Sequence, residues 1–153
     1  MPNADKGFMA AAFDEAERAA ARGEVPVGAI IVAVKTGEII ARAGNQTEGA
    51  NDPTAHAEME AIRAAAATLG APRLPECDLY VTLEPCPMCA TAISFARLRR
   101  VYFGAYDPKG GGVEHGPRIF DQATCHHRPE VVGGVDEAKA SELLKLFFAS
   151  RRA

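Results

Sequence analysis

Apolar and polar positions over the first third of the chain predict one helix followed by two strands. Residues 8–22 carry apolar side chains at helical spacing, and Gly23 ends this helix. Residues 27–34 form a continuous apolar run rich in β-branched side chains, which is typical of a buried strand. Residues 35–37 include a glycine and predict a hairpin link into a second strand over residues 38–43.

The rest of the pattern predicts three more helices and three more strands. Residues 44–52 are polar and predict a loop, after which Pro53 suits the first turn of a helix that runs to residue 69. Further elements are predicted over residues 79–83 (strand), 87–97 (helix), 100–105 (strand), 131–132 (strand) and 136–151 (helix). Residues 107–112 predict a flexible loop, while residues 118–129 match no regular pattern.

The order of these elements predicts an α/β fold with helices on both faces of a mixed sheet. The first two strands are expected to be antiparallel because a hairpin joins them. Later strands are expected to be parallel because helical crossovers join them. A chain of 153 residues has the usual size of one domain, so we predict a single domain over residues 1–153.

Composition and charge narrow the functional classes. Apolar residues make up 48% of the chain and charged residues 24%, as in soluble globular proteins. The formal net charge of −3 argues against a non-specific coat on nucleic acid, which requires a basic field. No apolar run approaches the ~18 residues of a membrane span, and the first residues lack a signal-peptide layout. We therefore expect a cytoplasmic protein with no membrane partner.

Two short motifs contain the residues best suited to chemistry. His56-Ala57-Glu58 is expected in the first turn of the second helix, and Pro85-Cys86-Pro87-Met88-Cys89 follows a strand and opens the third helix. A catalytic zinc ion takes three protein ligands and keeps one position open, and His56, Cys86 and Cys89 supply one nitrogen and two sulfurs. Cysteines three apart in a helical first turn lie close together, and the positive end of that helix stabilises their thiolates. We therefore predict one Zn²⁺ per subunit.

Glu58 is the predicted catalytic residue of this centre. It lies two positions from His56, so its side chain takes another direction and can approach the metal-activated water. Zinc lowers the pKa of such a water from about 16 to about 7, and a carboxylate beside it can accept and return the proton. This hydrolytic chemistry needs no nucleotide cofactor.

Each motif has other interpretations when it is taken alone. A histidine near a helix start is more often a hydrogen-bonded surface or core residue, and Cys-x-x-Cys after a strand also fits a thioredoxin-like redox pair. A redox pair gives no role to His56 or Glu58. A structural zinc site usually takes a fourth Cys or His ligand. Cys77 and Cys125 could in principle be that ligand, but neither has the spacing of paired ligands. The joint pattern therefore favours a catalytic zinc centre.

Together with their spacing, these motifs resemble the signature of the cytidine and deoxycytidylate deaminase superfamily. Within that superfamily, the chain is most similar to the bacterial tRNA-specific adenosine deaminases. The similarity covers nearly the whole sequence. Its segments are residues 24–29 (EVPVGA), 52–58 (DPTAHAE), 79–89 (LYVTLEPCPMC), 96–97, 104–105 and 107–109, with the pairs Phe147-Phe148 and Arg151-Arg152 near the C-terminus.

The resemblance implies a fold and a reaction. The implied fold is a three-layer α/β/α cytidine-deaminase-like structure with a mixed five-stranded sheet, assembled as a homodimer. The implied reaction is the hydrolytic deamination of adenosine 34, the wobble position, to inosine in the anticodon stem-loop of the tRNA(Arg) with anticodon ACG.

The resemblance also implies substrate contacts, each of which has a simpler reading. Asn45 would contact the flipped base, although beside Gly44 it could be an ordinary turn residue. Asp107 would lie by the substrate, although before Pro108 it could cap a turn or a helix. Phe148 would face the substrate, although the Phe147-Phe148 pair at helical spacing is more often core. The Arg151-Arg152 pair would meet phosphate, although such a pair is usually a solvated tail.

The sequence departs from the family pattern at one of these contacts. The family usually has Asn-His-Arg after the glycine-rich loop, whereas here residues 125–128 read Cys-His-His-Arg, with His126 where the Asn would stand. An amide offers both a donor and an acceptor, whereas a neutral imidazole divides them between two ring nitrogens. We therefore predict that His126 contacts the substrate, with a different arrangement of donor and acceptor from that of the usual Asn.

Three other functions remain open from sequence. Deaminases of a free base such as guanine share both motifs, and the acidic composition mildly favours a small substrate. Diaminopyrimidine deaminases usually space the second cysteine farther away than Cys89. A non-catalytic zinc module that docks RNA is a different class, and it would have no use for a free carboxylate such as that of Glu58.

Overall fold

The structure is a computed structural model that describes the backbone of residues 2–152 and the side chains of residues 5–151. It contains four α-helices, five strands and one short 3₁₀ turn within that range. In chain order these are α1 Pro2–Ala21, β1 Gly28–Ala33, β2 Glu38–Gly44, α2 Ala57–Leu69, β3 Cys77–Leu83, α3 Pro87–Phe95, β4 Arg100–Ala105, the 3₁₀ turn Ile119–Asp121, β5 Glu130–Val132 and α4 Glu137–Arg152. Among the described helices, none has the length and apolar character needed to cross a bilayer.

The five strands form one mixed sheet in the order β2-β1-β3-β4-β5. Strand β1 is antiparallel to both β2 and β3, with Ile31 opposite Ala41 on one side and Leu79 on the other. Strands β3, β4 and β5 are mutually parallel. Helix α3 joins β3 to β4, as predicted, whereas the link from β4 to β5 contains only the 3₁₀ turn.

Helices cover both faces of the sheet because successive strand side chains alternate between two cores. Ile31, Leu79 and Phe103 pack with α2 and α3 on one face. Ile30 and Tyr80 pack with α1 and α4 on the opposite face. These two cores confirm the three-layer α/β/α fold and its mixed five-stranded sheet.

The predicted start of α2 at Pro53 is wrong, because the helix begins at Ala57. The carboxylate of Asp52 accepts hydrogen bonds from the backbone N–H of Thr54 at 2.8 Å and from its hydroxyl at 2.7 Å. This local turn competes with helix formation. His56 therefore has an extended backbone (φ −69°, ψ 155°) and occupies the N-cap rather than the first turn.

The other boundaries differ by a few residues. Helix α1 begins at Pro2 rather than at residue 8, and β3 begins two residues early because Cys77 pairs with Ala33. Helix α3 ends at Phe95, and Arg97 has a left-handed backbone (φ 59°), so the predicted extension to residue 97 is wrong. Strand β2 continues to Gly44, which leaves the loop to begin at residue 45.

Candidate active site

The sheet brings the chemically interesting residues to one edge. Strands β2, β3 and β4 run in the same direction, so the residues that follow them meet at their carboxyl ends. Asn45 follows β2, Glu84 follows β3, and the segment with Asp107 follows β4. Strand β1 runs the other way, so the residues before Gly28 reach the same edge.

Two helix N-termini complete this edge. His56 is the N-cap of α2 and Cys86 is the N-cap of α3, while Pro87 takes the first helical position and Cys89 the third. Proline suits that position because its missing N–H would have no partner inside the helix. The partial positive charge of both helix ends therefore points at the same space.

The spacing of the three predicted ligands fits a zinc ion. The Nδ1 atom of His56 lies 3.6 Å from Sγ of Cys86 and 3.5 Å from Sγ of Cys89. All three ligand atoms lie within 4.8 Å of one another. Zinc bonds of about 2.0 Å to nitrogen and about 2.3 Å to sulfur, at tetrahedral angles, separate nitrogen from sulfur by roughly 3.5 Å. The set therefore has both the chemistry and the spacing of a three-ligand zinc centre.

The electrostatics of the cluster distinguish Cys86 from the other two groups. A hydrogen bond from Cys89 and another from His56 lower the pKa of the Cys86 thiol to about 4. The same interaction with Cys86, together with burial, raises the pKa of the Cys89 thiol. Contact with Cys86 raises the pKa of His56. Cys86 therefore favours the thiolate form that a metal cation binds, whereas Cys89 and His56 must release a proton to become ligands.

Glu58 lies beside the three ligands with only 4% of its surface exposed. Burial raises the pKa of this carboxyl to about 7. A group with a pKa near neutrality can both accept and donate a proton at physiological pH. The position and the pKa of Glu58 both suit a proton shuttle.

A cavity of about 280 Å³ opens above this cluster. Val25, Val27 and Leu83 give it apolar walls. Its polar lining residues are Asn45, Thr47, His56, Glu58, Glu84, Cys86 and Asp107. An apolar cavity with a few convergent polar groups is the usual form of a small-molecule site.

Asn45 is a buried cavity residue rather than an ordinary turn residue. Its Nδ2 donates to Glu24 Oε1 at 3.3 Å and to Thr47 Oγ1 at 3.2 Å, and its backbone N–H donates to Val27 at 3.1 Å. The side chain is 7% exposed and lines the cavity. Its amide is therefore held in one orientation beside the predicted zinc ligands.

Asp107 both caps a tight turn and lines the cavity. Its Oδ1 accepts from the backbone N–H of Lys109 at 3.2 Å and of Gly110 at 2.9 Å, which is the capping contact of a tight turn. Asp107 also lines the cavity above the ligand cluster. A turn residue thus forms part of the cavity wall.

Helix α4 contributes to a groove that continues from this cavity. Phe148 is 43% exposed and lines the groove with Tyr106 and Lys109. The groove and the cavity share Val25, Leu83, Asp107 and Gly110. Phe148 therefore lies next to the cavity without facing the ligand cluster.

The two C-terminal arginines are not brought to the cavity by any described contact. Arg151 donates to the backbone oxygen of Gly23 at 3.1 Å and stacks over Phe147, with its guanidinium carbon 4.6 Å from the ring centre. It is exposed and ties α4 to the end of α1. The side chain of Arg152 lies outside the described residues.

His126 lies in a different place from the cavity. It is exposed and lines a separate cavity of about 340 Å³ beside α3, with Phe95, Ile119 and Cys125. The structure therefore does not bring His126 together with the predicted zinc ligands of the same chain.

Two buried glutamates were missed by the sequence analysis. Glu24 accepts from the backbone N–H groups of Glu48 at 3.1 Å and Gly49 at 2.7 Å, and Glu84 accepts from four backbone N–H groups. Both stand inside segments that resemble the family, EVPVGA and LYVTLEPCPMC, and both adjoin apolar strands. A carboxylate directly beside a buried strand was the sequence signal that could have identified both residues.

Residues 2–105 match the family described as the cytidine and deoxycytidylate deaminase zinc-binding region. A tRNA-specific adenosine deaminase of Agrobacterium fabrum is 57% identical over 145 residues, which cover 95% of this chain and 94% of that one. The chain belongs to the cytidine and deoxycytidylate deaminase family, and within it to the tRNA-specific adenosine deaminases. It is therefore an enzyme of the deaminase class, which confirms the resemblance and excludes a purely non-catalytic module.

Solved structures agree with this membership. One from biochemical and structural studies of A-to-I editing by tRNA:A34 deaminases has a TM-score of 0.88 and 57% identity, covering 90% of this chain and 99% of that one. A guanine deaminase from Bacillus subtilis has a TM-score of 0.63 and 44% identity, covering 65% of this deaminase and 63% of that chain. The similarity to the tRNA:A34 deaminase structure thus covers more of both chains than the similarity to the guanine deaminase does.

Proposed function

We propose that this deaminase converts adenosine 34 to inosine in the anticodon loop of the tRNA(Arg) with anticodon ACG. The observation that carries the proposal is the 57% identity, over nearly the full length of both chains, to a tRNA-specific adenosine deaminase. The tRNA:A34 structure supports the wobble position. The tRNA pool of a bacterium lies in its cytoplasm, and we place the enzyme there.

His56, Cys86 and Cys89 would hold one zinc ion per subunit. A bound zinc ion supplies Lewis acidity that lowers the pKa of a water molecule to about 7. Glu58 accepts the proton released from that water, since its carboxylate is buried beside the ligand cluster. Glu58 would pass this first proton to N1 of the adenine as the water oxygen bonds to C6. It would then take the second proton from that oxygen and deliver it to the amine, so that the C6–N6 bond breaks, ammonia leaves and inosine remains.

The size of the cavity suits one base. At about 280 Å³ it lies just below the roughly 300–1,000 Å³ of small-molecule sites, so a folded stem-loop cannot enter it. The target nucleotide must therefore leave the anticodon stack before it reacts. In our proposal, the held amide of Asn45 contacts the flipped base, and Asp107 contacts the nucleotide at the cavity mouth.

The groove beside the cavity suits the flanking part of the loop. Aromatic side chains stack on bases regardless of sequence, and we assign this role to exposed Phe148. Lys109 lines the same groove and adds positive charge for phosphate. Arg151 and Arg152 at the end of α4 would extend that phosphate contact, in accordance with the sequence prediction.

We also propose that the enzyme is a homodimer, as the resemblance implies. Helix α3 supports this with Phe95, whose side chain is 72% exposed beside the cavity that His126 lines. Large exposed aromatic side chains are enriched in protein interfaces. A partner subunit seated on this surface would cover Phe95 and contact His126.

The decisive experiment compares substrates. The zinc-loaded enzyme is incubated with tRNA(Arg) bearing ACG, with the same tRNA bearing GCG, and with free guanine, adenosine and cytidine. We expect an A-to-G change at position 34 in reverse-transcribed ACG reads, with ammonia release only in that arm. Ammonia from guanine without tRNA conversion would replace our proposal with the second candidate, which the B. subtilis guanine deaminase similarity favours.

A further inference from the structure

Glu84 is a completely buried carboxylate that sits between the zinc-binding turn and a loop. It follows β3 and stands two residues before Cys86, with 0% of its side chain exposed. Its Oε1 accepts from the backbone N–H of Asp107 at 2.9 Å and contacts Nδ1 of His115 at 2.8 Å. Its Oε2 accepts from the backbone N–H groups of Val113 at 3.2 Å, Glu114 at 2.9 Å and His115 at 3.1 Å.

All these partners belong to residues 107–115, which we call the wall loop. The wall loop has no regular secondary structure and contains three consecutive glycines at residues 110–112. Glycine loses more conformational freedom on ordering than any other residue. Hydrogen bonds to an ionised acceptor are roughly twice as strong as neutral ones. One carboxylate therefore accepts four backbone N–H groups of a segment with little intrinsic order.

The contacts of Glu84 continue to the wall of the cavity. Asp107, whose N–H is held by Glu84, accepts in turn from the N–H groups of Lys109 and Gly110 through its Oδ1. Asp107 and Gly110 both line the cavity above the ligand cluster. The position of this wall therefore depends on the carboxylate of Glu84.

The same loop packs closely on the turn that carries the zinc ligands. Gly112 donates its N–H to Pro85 at 2.8 Å, and a Cβ on Gly112 would lie 2.6 Å from the nitrogen of Pro87. A Cβ on Gly111 would overlap both Oε2 of Glu84 and the backbone oxygen of Asp107. The glycines thus permit the wall loop to approach Glu84, and Glu84 keeps it there.

We propose that Glu84 is a positioning residue that holds the wall loop in the conformation that receives the substrate. The recorded side-chain partners of Glu84 come from that loop, so its loss should act locally rather than on the sheet. A preorganised wall lowers the ordering entropy that substrate binding must overcome. The expected effect on substrate binding rests on the proposed tRNA function, whereas the ordering of the wall loop by Glu84 does not.

The test compares Glu84→Gln with Glu76→Gln, a control just before the other end of the same strand, where Glu76 is exposed and paired with Lys35. Glutamine keeps the size of the side chain but replaces one acceptor oxygen with a donor that faces N–H groups. Hydrogen exchange, zinc content, KM and kcat are measured on the zinc-loaded enzyme. Exchange reports local opening independently of any substrate.

In Glu84→Gln we expect the backbone amides of Asp107, Val113, Glu114 and His115 to exchange at least about tenfold faster, while β3 and β4 amides stay unchanged. Zinc content should match that of Glu76→Gln. KM for the tRNA should rise about tenfold with kcat changed by less than about threefold, since the loss is in preorganised binding. A purely structural role would lower the amount of folded enzyme without this KM-against-kcat split.

A second variant covers the case in which Glu84→Gln does not fold. Gly111→Ala keeps the Glu84 carboxylate but places a Cβ against its Oε2, which pushes the wall loop away from it, and the same exchange and KM changes are expected. Unchanged wall-loop exchange in the folded variant would overturn the proposal, as would loss of zinc with a normal KM. Failure of the wild-type enzyme to convert any tRNA would refute the proposed function, while the exchange result would still decide the ordering role of Glu84.

Discussion

At the scale of single residues, Glu58 is the most informative position. Its carboxyl is buried beside the ligand cluster, and burial raises its pKa to about 7. We expect Glu58→Gln to retain full zinc and the fold, because the amide fills the same space, but to lose turnover by roughly 10²–10⁴-fold, because an amide cannot carry the proton. Zinc by elemental analysis and inosine formation measure both effects.

The control for this change is Glu60→Gln, also in the first turn of α2. The side chain of Glu60 pairs with Arg63 at 3.6 Å and has no described contact with the ligand cluster, and the substitution leaves the backbone hydrogen bond to His56 in place. The Glu60→Gln variant should therefore keep both its zinc content and its turnover rate. Substantial activity in Glu58→Gln would remove Glu58 from the proton-transfer step.

Cys86 and Cys89 should be required for zinc binding, whereas the other two cysteines should not. Replacing Cys86 or Cys89 with serine removes a thiolate ligand, and we expect the purified variant to hold little zinc. Cys125→Ser is the matched control, since its sulfur contacts Ser94 and the backbone of His127 rather than His56. A full zinc complement in Cys86→Ser would contradict the ligand assignment.

The sequence predicted this residue-level chemistry because zinc chemistry imposes strict donor types and spacing. His56, Cys86 and Cys89 form the expected cluster, and Glu58 lies beside it. Substrate contacts were harder to predict because they depend on how distant segments meet. Asn45 and Asp107 reach the cavity, whereas His126 lines another surface of the same chain.

At the scale of elements, buried carboxylates order the two loops beside the cavity. Glu24 holds residues 48 and 49 on one side, and Glu84 holds the wall loop on the other. Their partners are more than twenty residues away in sequence, so no local pattern could reveal them. The wrong start of α2 has a local cause instead, since the Asp52–Thr54 turn outcompetes the helix-starting tendency of Pro53.

Glu24 should contribute a pH-dependent part of the stability. Burial acts to raise the pKa of this carboxyl, but hydrogen bonds from Gly49 and Glu48 outweigh it and hold the pKa below its usual 4.5. The contribution is therefore present above pH 4.5 and is lost as the pH falls through the lower folded-state value. We expect Glu24→Gln to be less stable than wild type at pH 7 and to lose less stability between pH 5 and pH 3.

Urea unfolding at a series of pH values measures this effect. Zinc release in acid affects wild type and variant equally, so it cancels in the difference between them. Glu17→Gln, on the exposed face of α1, should follow the wild-type pH profile. Parallel profiles for wild type and Glu24→Gln would show that Glu24 contributes no such stabilisation.

At the scale of the whole molecule, zinc should stabilise the fold as well as the reaction. Its ligands lie at the N-termini of α2 and α3, so one ion would tie two helices together. A ligand at a thousand times its Kd stabilises the native state by about 4 kcal/mol, and 1 kcal/mol shifts the Tm of a domain of this size by roughly 2–4 °C. We expect a chelator to lower the wild-type Tm by about 10 °C.

Thermal unfolding of Cys86→Ser provides the control for this measurement. The variant lacks a ligand, so its Tm should already be low and should not respond to the chelator. A wild-type Tm that a strong chelator leaves unchanged, after zinc removal is verified by elemental analysis, would show that the ion does not support the fold.

Self-association should depend on the surface around Phe95. A side chain 72% exposed on α3 is expected to lie near the centre of the proposed dimer interface, where aromatic residues contribute most of the binding energy. Phe95→Glu places a charge in that interface, and we expect the dimer to weaken about 100-fold, which corresponds to about 2.7 kcal/mol. Leu69→Glu, at the end of α2, changes another exposed apolar side chain (48%) and should leave the dimer intact. Sedimentation equilibrium separates the outcomes, and a wild-type enzyme that stays monomeric at micromolar concentration would refute the homodimer proposal.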